Sequence, residues 1–174
     1  IREKSDIPIA LMGYYNPILK MGQESFIKEC TLSDVDGIIL PDLPLEEAKE
    51  FCDISKASKI SPILLVAPNS SIERIKKISE LAGDLIYAVS ILGITGNELS
   101  SKTKLEKYLN RVRENSQTPF VVGFGISTRE DVQWFNKHSD GAVVGSAIIE
   151  KLSTSKEIKL SIQNYIRSLK GKID

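Results

Sequence analysis

The sequence predicts a parallel α/β fold built from repeated βα units, and three observations carry that expectation. Short apolar runs alternate strictly with longer stretches of helical periodicity, the runs starting roughly 25 to 35 residues apart. The runs are continuously apolar rather than alternating, as in strands buried on both faces. Two of them, Phe120-Val121-Val122 and Ala142-Val143-Val144, end in Gly123 and Gly145 and lead into small hydroxyl residues and a helical pattern.

Ile1 to Asp6 reads as the charged last turn of a helix, and a chain that opens on Ile1 rather than methionine points to a processed, truncated or partly sampled protein. Ile7 to Met12 is the first strand. Gly13 to Pro17 reads as a loop, because proline disfavours helix at the residue before it. Gly22 to Thr31 follows as a short amphipathic helix. Gly37 to Leu40 is the second strand, closed by Pro41-Asp42-Leu43-Pro44, with a helix over Leu45 to Ser58. Pro62 to Val66 is the third strand, and Ser70 or Ser71 caps the helix through Ala82. Leu85 to Val89 is the fourth. It opens into the longest loop, Ser90 through Lys102, a length more often functional than idle. Leu105, Leu109 and Val112 mark the next helix. Pro119 to Val122 and Ala142 to Val144 are the last strands, with a helix over Thr128 to Lys137 between them. The terminal helical stretch, Ser146 to Lys170, breaks near Ser153-Thr154-Ser155.

Six βα units in strict alternation leave an open doubly wound sheet or a closed (β/α)8 barrel. A dinucleotide-binding sheet carries its glycine-rich turn after the first strand, and Met12 is followed by no such turn. The expectation is therefore an α/β TIM (β/α)8 barrel, incomplete here, with about six βα units corresponding to strands 3 to 8. Residues 1–174 form one barrel domain lacking its first two units. The glycine pair then falls after strands seven and eight, where such barrels often hold a phosphate. Strands that end in glycine and turn into helix N-termini leave backbone N–H groups pointing outward with helix dipoles behind them. The plainer alternative is that these glycines only permit tight turns.

The chain has 174 residues, 41% of them hydrophobic, with 23 basic and 23 acidic side chains. Zero formal net charge argues against a nucleic-acid or anionic-membrane surface. No apolar run approaches the roughly 18 to 20 residues of a membrane span. Cys30 and Cys52 have neither metal nor redox spacing and read as buried thiols of a reducing cytosol.

Working residues of a barrel sit at the C-terminal ends of its strands. Asp42, the sole carboxylate at such a tip, reads either as a base or as a helix cap or lysine partner. Tyr87 reads either as a hydroxyl offered to a ligand or as core. His138, the single histidine, ends a helix away from the tips, and Trp134 and Phe135 read as cover for the sheet. No metal site is expected. Acid–base chemistry on a sugar phosphate usually wants two titratable groups, and this chain offers at most one.

The motifs Tyr14-Tyr15-Asn16-Pro17, Leu40-Pro41-Asp42-Leu43-Pro44, Ala67-Pro68-Asn69, Gly93-Ile94-Thr95-Gly96, Gly123-Phe124-Gly125-Ile126-Ser127 and Gly145-Ser146-Ala147-Ile148 together resemble the tryptophan synthase α subunit, in order and at the family's spacings. The resemblance implies a barrel lyase that cleaves indole-3-glycerol phosphate to indole and glyceraldehyde 3-phosphate. It implies an α2β2 assembly with a β subunit that carries pyridoxal phosphate, and no cofactor in this subunit. A cytoplasmic location is implied, or a plastid in a eukaryotic host. By motif, Gly96, Phe124, Gly125, Gly145 and Ser146 would serve the phosphate, with Ile148 flanking it. Tyr87, Thr95, Tyr14, Met12 and Ile39 would line the substrate pocket. Tyr15, Asn16 and Pro17 would face the β subunit. The family's two catalytic carboxylates precede its third strand, so their positions fall before Ile1 and no residue here inherits them. The long loop also departs from the family pattern, with Ile91-Leu92 before Gly93 and Asn97-Glu98-Leu99 after Gly96. An alternative is a non-catalytic relic that binds phosphate or modulates the β subunit. Another sugar-phosphate barrel, an isomerase or epimerase, ranks last for want of an acid–base pair.

Overall fold

The computed structural model describes residues 1–90, 98–123 and 125–171, with the backbone alone for 98–101. Strands and helices alternate in chain order: β1 (Ala10–Met12), α1 (Tyr15–Met21), α2 (Gln23–Leu32), β2 (Gly37–Ile39), α3 (Ala48–Ala57), β3 (Ser61–Val66), α4 (Ile72–Leu81), β4 (Ile86–Val89), α5 (Glu98–Asn115), β5 (Phe120–Gly123), α6 (Arg129–His138), β6 (Gly141–Val143), α7 (Ser146–Thr154) and α8 (Ile158–Lys170). The sheet order β1-β2-β3-β4-β5-β6 follows the chain. A doubly wound sheet reverses its order at a switch point. This sheet does not, and so it has the topology of an incomplete (β/α)8 barrel.

The chain divides into two compact units. The first comprises Ile1–Val66, Ser70–Tyr87 and Asn115–Pro119. Its strands run parallel, with Met12 beside Ile39 and Ile39 beside Ile63. Ile38, Leu40, Phe51, Ile60, Ile27 and Ile18 form its core, and Tyr15 meets Phe51 edge-on with ring centroids 6.1 Å apart. The strand expected over Ile7 to Met12 is shorter, because the Ile9 N–H goes to the Asp36 carboxylate (2.6 Å) rather than to a ladder carbonyl.

The expected loop through Pro17 is instead the first turn of α1, which starts at Tyr15. Pro17 is the third helical residue, and a first-turn N–H has no intrahelical partner to lose. Burial of Tyr15 and Ile18 outweighs the local bias against helix at Asn16.

The second unit comprises Ala67–Asn69, Ala88–Glu114 and Phe120–Asp174. Leu105, Tyr108, Leu109 and Val112 give α5 one buried stripe at helical spacing. Val121 pairs with Gly141 and Gly123 with Val143. The break expected near Ser153 to Ser155 lies between α7 and α8, where the Ser155 and Ser161 hydroxyls meet at 2.8 Å.

The two units share a device at strand entry. Asp36 precedes Gly37, and its carboxylate accepts the Ile9 N–H and the Arg2 guanidinium. Asp140 precedes Gly141, and its carboxylate accepts the Phe120 N–H (2.9 Å) beside Arg113 (3.8 Å). Each Asp-Gly pair ties the start of its own strand to the start of the preceding one. The Ile9 N–H and then Arg2 hold the Asp36 carboxyl below its ordinary range.

Candidate functional site

The strand tips of the first unit gather the apolar candidates. Met12 and Ile39 are register partners, so their side chains project on one side of the sheet. Ile39 is buried, whereas Met12 is 54% and Tyr14 71% exposed. Tyr87 is buried in β4, and burial raises its hydroxyl pKa. Of the three residues read as partner-facing, Asn16 and Pro17 are exposed, but the Tyr15 side chain is 8% exposed and belongs to the core. Burial, then Glu50 and Glu47, raise its pKa.

Asp42 is exposed, and its Oδ1 accepts the backbone N–H of Tyr15 at 2.9 Å. The carboxylate that reads as either base or cap is thus engaged as a cap. The helix it caps is α1, 27 residues upstream, rather than the helix that follows it.

The strand tips of the second unit carry the glycine turns. Gly123 and Val143 are register partners, so Gly125 and Gly145 each stand two residues beyond a matched position. Gly125 has φ +77°, a left-handed conformation that side chains resist. The buried Ser90 hydroxyl donates to the Gly123 carbonyl at 2.7 Å and steadies this edge.

The two helix N-termini differ. At α6, Thr128 and Asp131 form a complete capping box. The Asp131 carboxylate takes the N–H groups of Ser127 (3.1 Å) and Thr128 (2.9 Å). Burial pushes the Asp131 carboxyl up, but the Thr128 and Ser127 N–H groups outweigh it and leave it lowered. An internal anion therefore already occupies the positive end of α6. At α7, Gly145 is the N-cap, no side chain caps the helix, and both Gly145 and Ser146 are exposed. An added Cβ at Gly145 would meet nothing within 4 Å. Of the two turns, the one after Gly145 offers the open cluster of first-turn N–H groups backed by a helix dipole.

Thr95, Gly96 and Phe124 lie outside the described residues. His138 stacks on Trp134 and faces Glu106 at 3.6 Å, occupied at the far end of α6. A cavity of about 650 Å³ in this unit is lined by Val132, Asp140, Gly141, Val144, Ile148 and Leu169 among others, between β6, α6, α7 and α8, and reaches the residues that flank the turn at Gly145. Among the described residues there is no group of three or more His, Cys, Asp or Glu side chains suited to a metal, and no helix long and apolar enough to cross a membrane.

The Thr128-x-x-Asp131 spacing is a legible capping-box signature that the sequence reading did not use. The Asp42 to Tyr15 bond has no local signal, because its partners are far apart in the chain.

The family model described as "Tryptophan synthase alpha chain" matches residues 1–172. This chain belongs to the tryptophan synthase alpha chain family. The family is one of lyases of tryptophan biosynthesis. The alpha chain of Petrotoga mobilis is 40% identical over 174 residues, covering 98% of this chain and 67% of the relative. That of Bacillus mycoides is 43% identical over 156 residues, covering 90% of this chain and 60% of the relative. The solved tryptophan synthase α2β2 complex of Pyrococcus furiosus contains a chain that superposes with TM-score 0.88 at 35% identity, covering 98% of this chain and 69% of that one. The chain thus spans about two thirds of the length of the tryptophan synthase alpha chains it matches.

Proposed function

We propose that the protein to which these residues belong is the α subunit of tryptophan synthase. It cleaves indole-3-glycerol phosphate by a retro-aldol reaction. Indole C3 gains a proton, and the hydroxyl on the adjoining glycerol carbon loses one. The carbon–carbon bond between them breaks, its electrons return to the ring, and the hydroxyl carbon becomes the aldehyde of glyceraldehyde 3-phosphate. The match over residues 1–172 carries this reading, and the uncapped α7 turn supports it.

The first-turn N–H groups at Gly145 and Ser146 hold the phosphate, charge-assisted and backed by the α7 dipole. Gly125 completes that contact, with Gly96 and Phe124 as further phosphate-binding residues and Thr95 as a residue of the substrate pocket. Met12, Ile39 and Tyr14 surround the indole, and the Tyr87 hydroxyl aligns the substrate. Asn16 and Pro17 contribute to the face that meets the β subunit in an α2β2 assembly. Pyridoxal phosphate belongs to that β subunit and none to this one. The proton-transfer carboxylates lie outside these 174 residues, so this segment alone is inactive. The work is cytoplasmic.

Inorganic phosphate or glycerol 3-phosphate should bind these residues, and Ser146→Glu, which places a carboxylate in the N–H cluster, should weaken binding at least tenfold. Unchanged binding in Ser146→Glu would remove the phosphate assignment. Failure of the gene-encoded protein to associate with a tryptophan synthase β subunit would remove the assembly.

A further inference from the structure

We infer that Asp42 is a positioning residue that locks Tyr14 and the start of α1 into one rigid piece with the tip of β2. This rests on the proposed role of Tyr14 at the substrate and names the group that holds it there.

Tyr14 is the N-cap of α1 and makes no side-chain cap. Its helix has no acidic residue in its first turn. A seven-residue helix with neither feature is poorly specified on its own. The missing acceptor comes from Asp42, whose Oδ1 lies 2.9 Å from the Tyr15 nitrogen. That places a carboxylate on the first helical N–H, the favourable end of the dipole.

Asp42 stands between Pro41 and Leu43-Pro44, and the prolines restrict the backbone that presents it. On the other side of the loop, Gly13 donates its N–H to the Ile39 carbonyl at 3.2 Å. Tyr14 is thus held between two bonds, one on each adjoining residue, and both reach the β2 exit. Its ring is otherwise 71% exposed and packs too little to fix itself. The Tyr15 ring anchors the helix from below in the core. Asn16 and Pro17 ride on the same turn, so the clamp also fixes the surface proposed to meet the β subunit.

The test compares Asp42→Ala with Asp42→Asn, which keeps an acceptor oxygen at Cγ, in the gene-encoded protein. Two readouts are needed. Exchange of the Tyr15 amide with solvent should accelerate at least tenfold in Asp42→Ala, and stay within about threefold of wild type in Asp42→Asn. The KM for indole-3-glycerol phosphate should rise about tenfold in Asp42→Ala with kcat within about twofold, and Asp42→Asn should restore KM.

Unchanged Tyr15 exchange in Asp42→Ala would overturn the clamp. Accelerated exchange with an unchanged KM would overturn its link to substrate. A collapse of kcat in both variants would make Asp42 a catalytic group and overturn the positioning role. A wild-type protein without lyase activity would overturn the lyase reading and the substrate half of this inference, while Tyr15 exchange would still decide the clamp.

Discussion

Replacing Gly83 with alanine tests the packing of the first unit at one point. Gly83 follows α4, and its N–H donates to the Pro62 carbonyl at 2.8 Å. A Cβ built there would lie 2.3 Å from Ser61 Oγ, 2.9 Å from Pro62 Cδ and 2.9 Å from Ser61 Cα. The serine hydroxyl can rotate away, but it then abandons the Asp84 N–H that it accepts at 2.8 Å. The Ser61 Cα and the Pro62 ring cannot rotate away, because they belong to the backbone of β3. Overpacking against backbone costs about 1–3 kcal/mol. Losing the exposed Asp84 bond adds up to ~1 kcal/mol. The restriction alanine places on the unfolded chain returns about 0.4–1 kcal/mol. A net loss of about 1–3 kcal/mol should lower Tm by roughly 3–10 °C in a chain of this size. Differential scanning calorimetry measures it, with Gly13→Ala as control, since a Cβ at Gly13 meets nothing within 4 Å. Equal melting of the two variants would refute the packing argument.

Phe51 is 1% exposed and lies against Tyr15 in the core, so Phe51→Ala should cost about 3–5 kcal/mol in urea unfolding, and a loss below about 1.5 kcal/mol would contradict the core assignment. The Asp36 carboxyl is lowered in the folded chain by the Ile9 N–H and Arg2. Its contribution is therefore present above the unfolded carboxyl pKa of about 3.9 and is lost as pH falls through the lower folded value. Asp36→Asn should flatten stability against pH over that acid range, and an unaltered profile would count against the link. Burial pushes the Cys52 thiol up to about 11, so it should resist thiol reagents at pH 8 in the folded chain and react on unfolding. Fast labelling of Cys52 in the native state would refute its burial.

The alternation of βα units was legible because apolar runs and helical stripes differ in period, and those patterns are local. The choice of a barrel over a doubly wound sheet rested on the lack of a glycine-rich turn after Met12, and the strand order, which follows the chain, agrees with it. The α1 start was misread because a local rule about Asn16-Pro17 competes with burial of Tyr15 and Ile18, which depends on residues far along the chain. The same distance hid the role of Asp42. The matched glycine turns were legible from their spacing, whereas their inequality depends on Asp131. That carboxylate fills the α6 terminus and leaves α7 open.

Release of indole from indole-3-glycerol phosphate, measured side by side for the gene-encoded protein and for these 174 residues alone, tests the central claim most directly. The account predicts indole from the former and none from the latter, because the proposed reading puts the proton-transfer carboxylates outside these 174 residues. Indole released by the 174-residue segment would contradict it and place that pair among the residues described above. An inactive gene-encoded protein would remove the lyase reading itself.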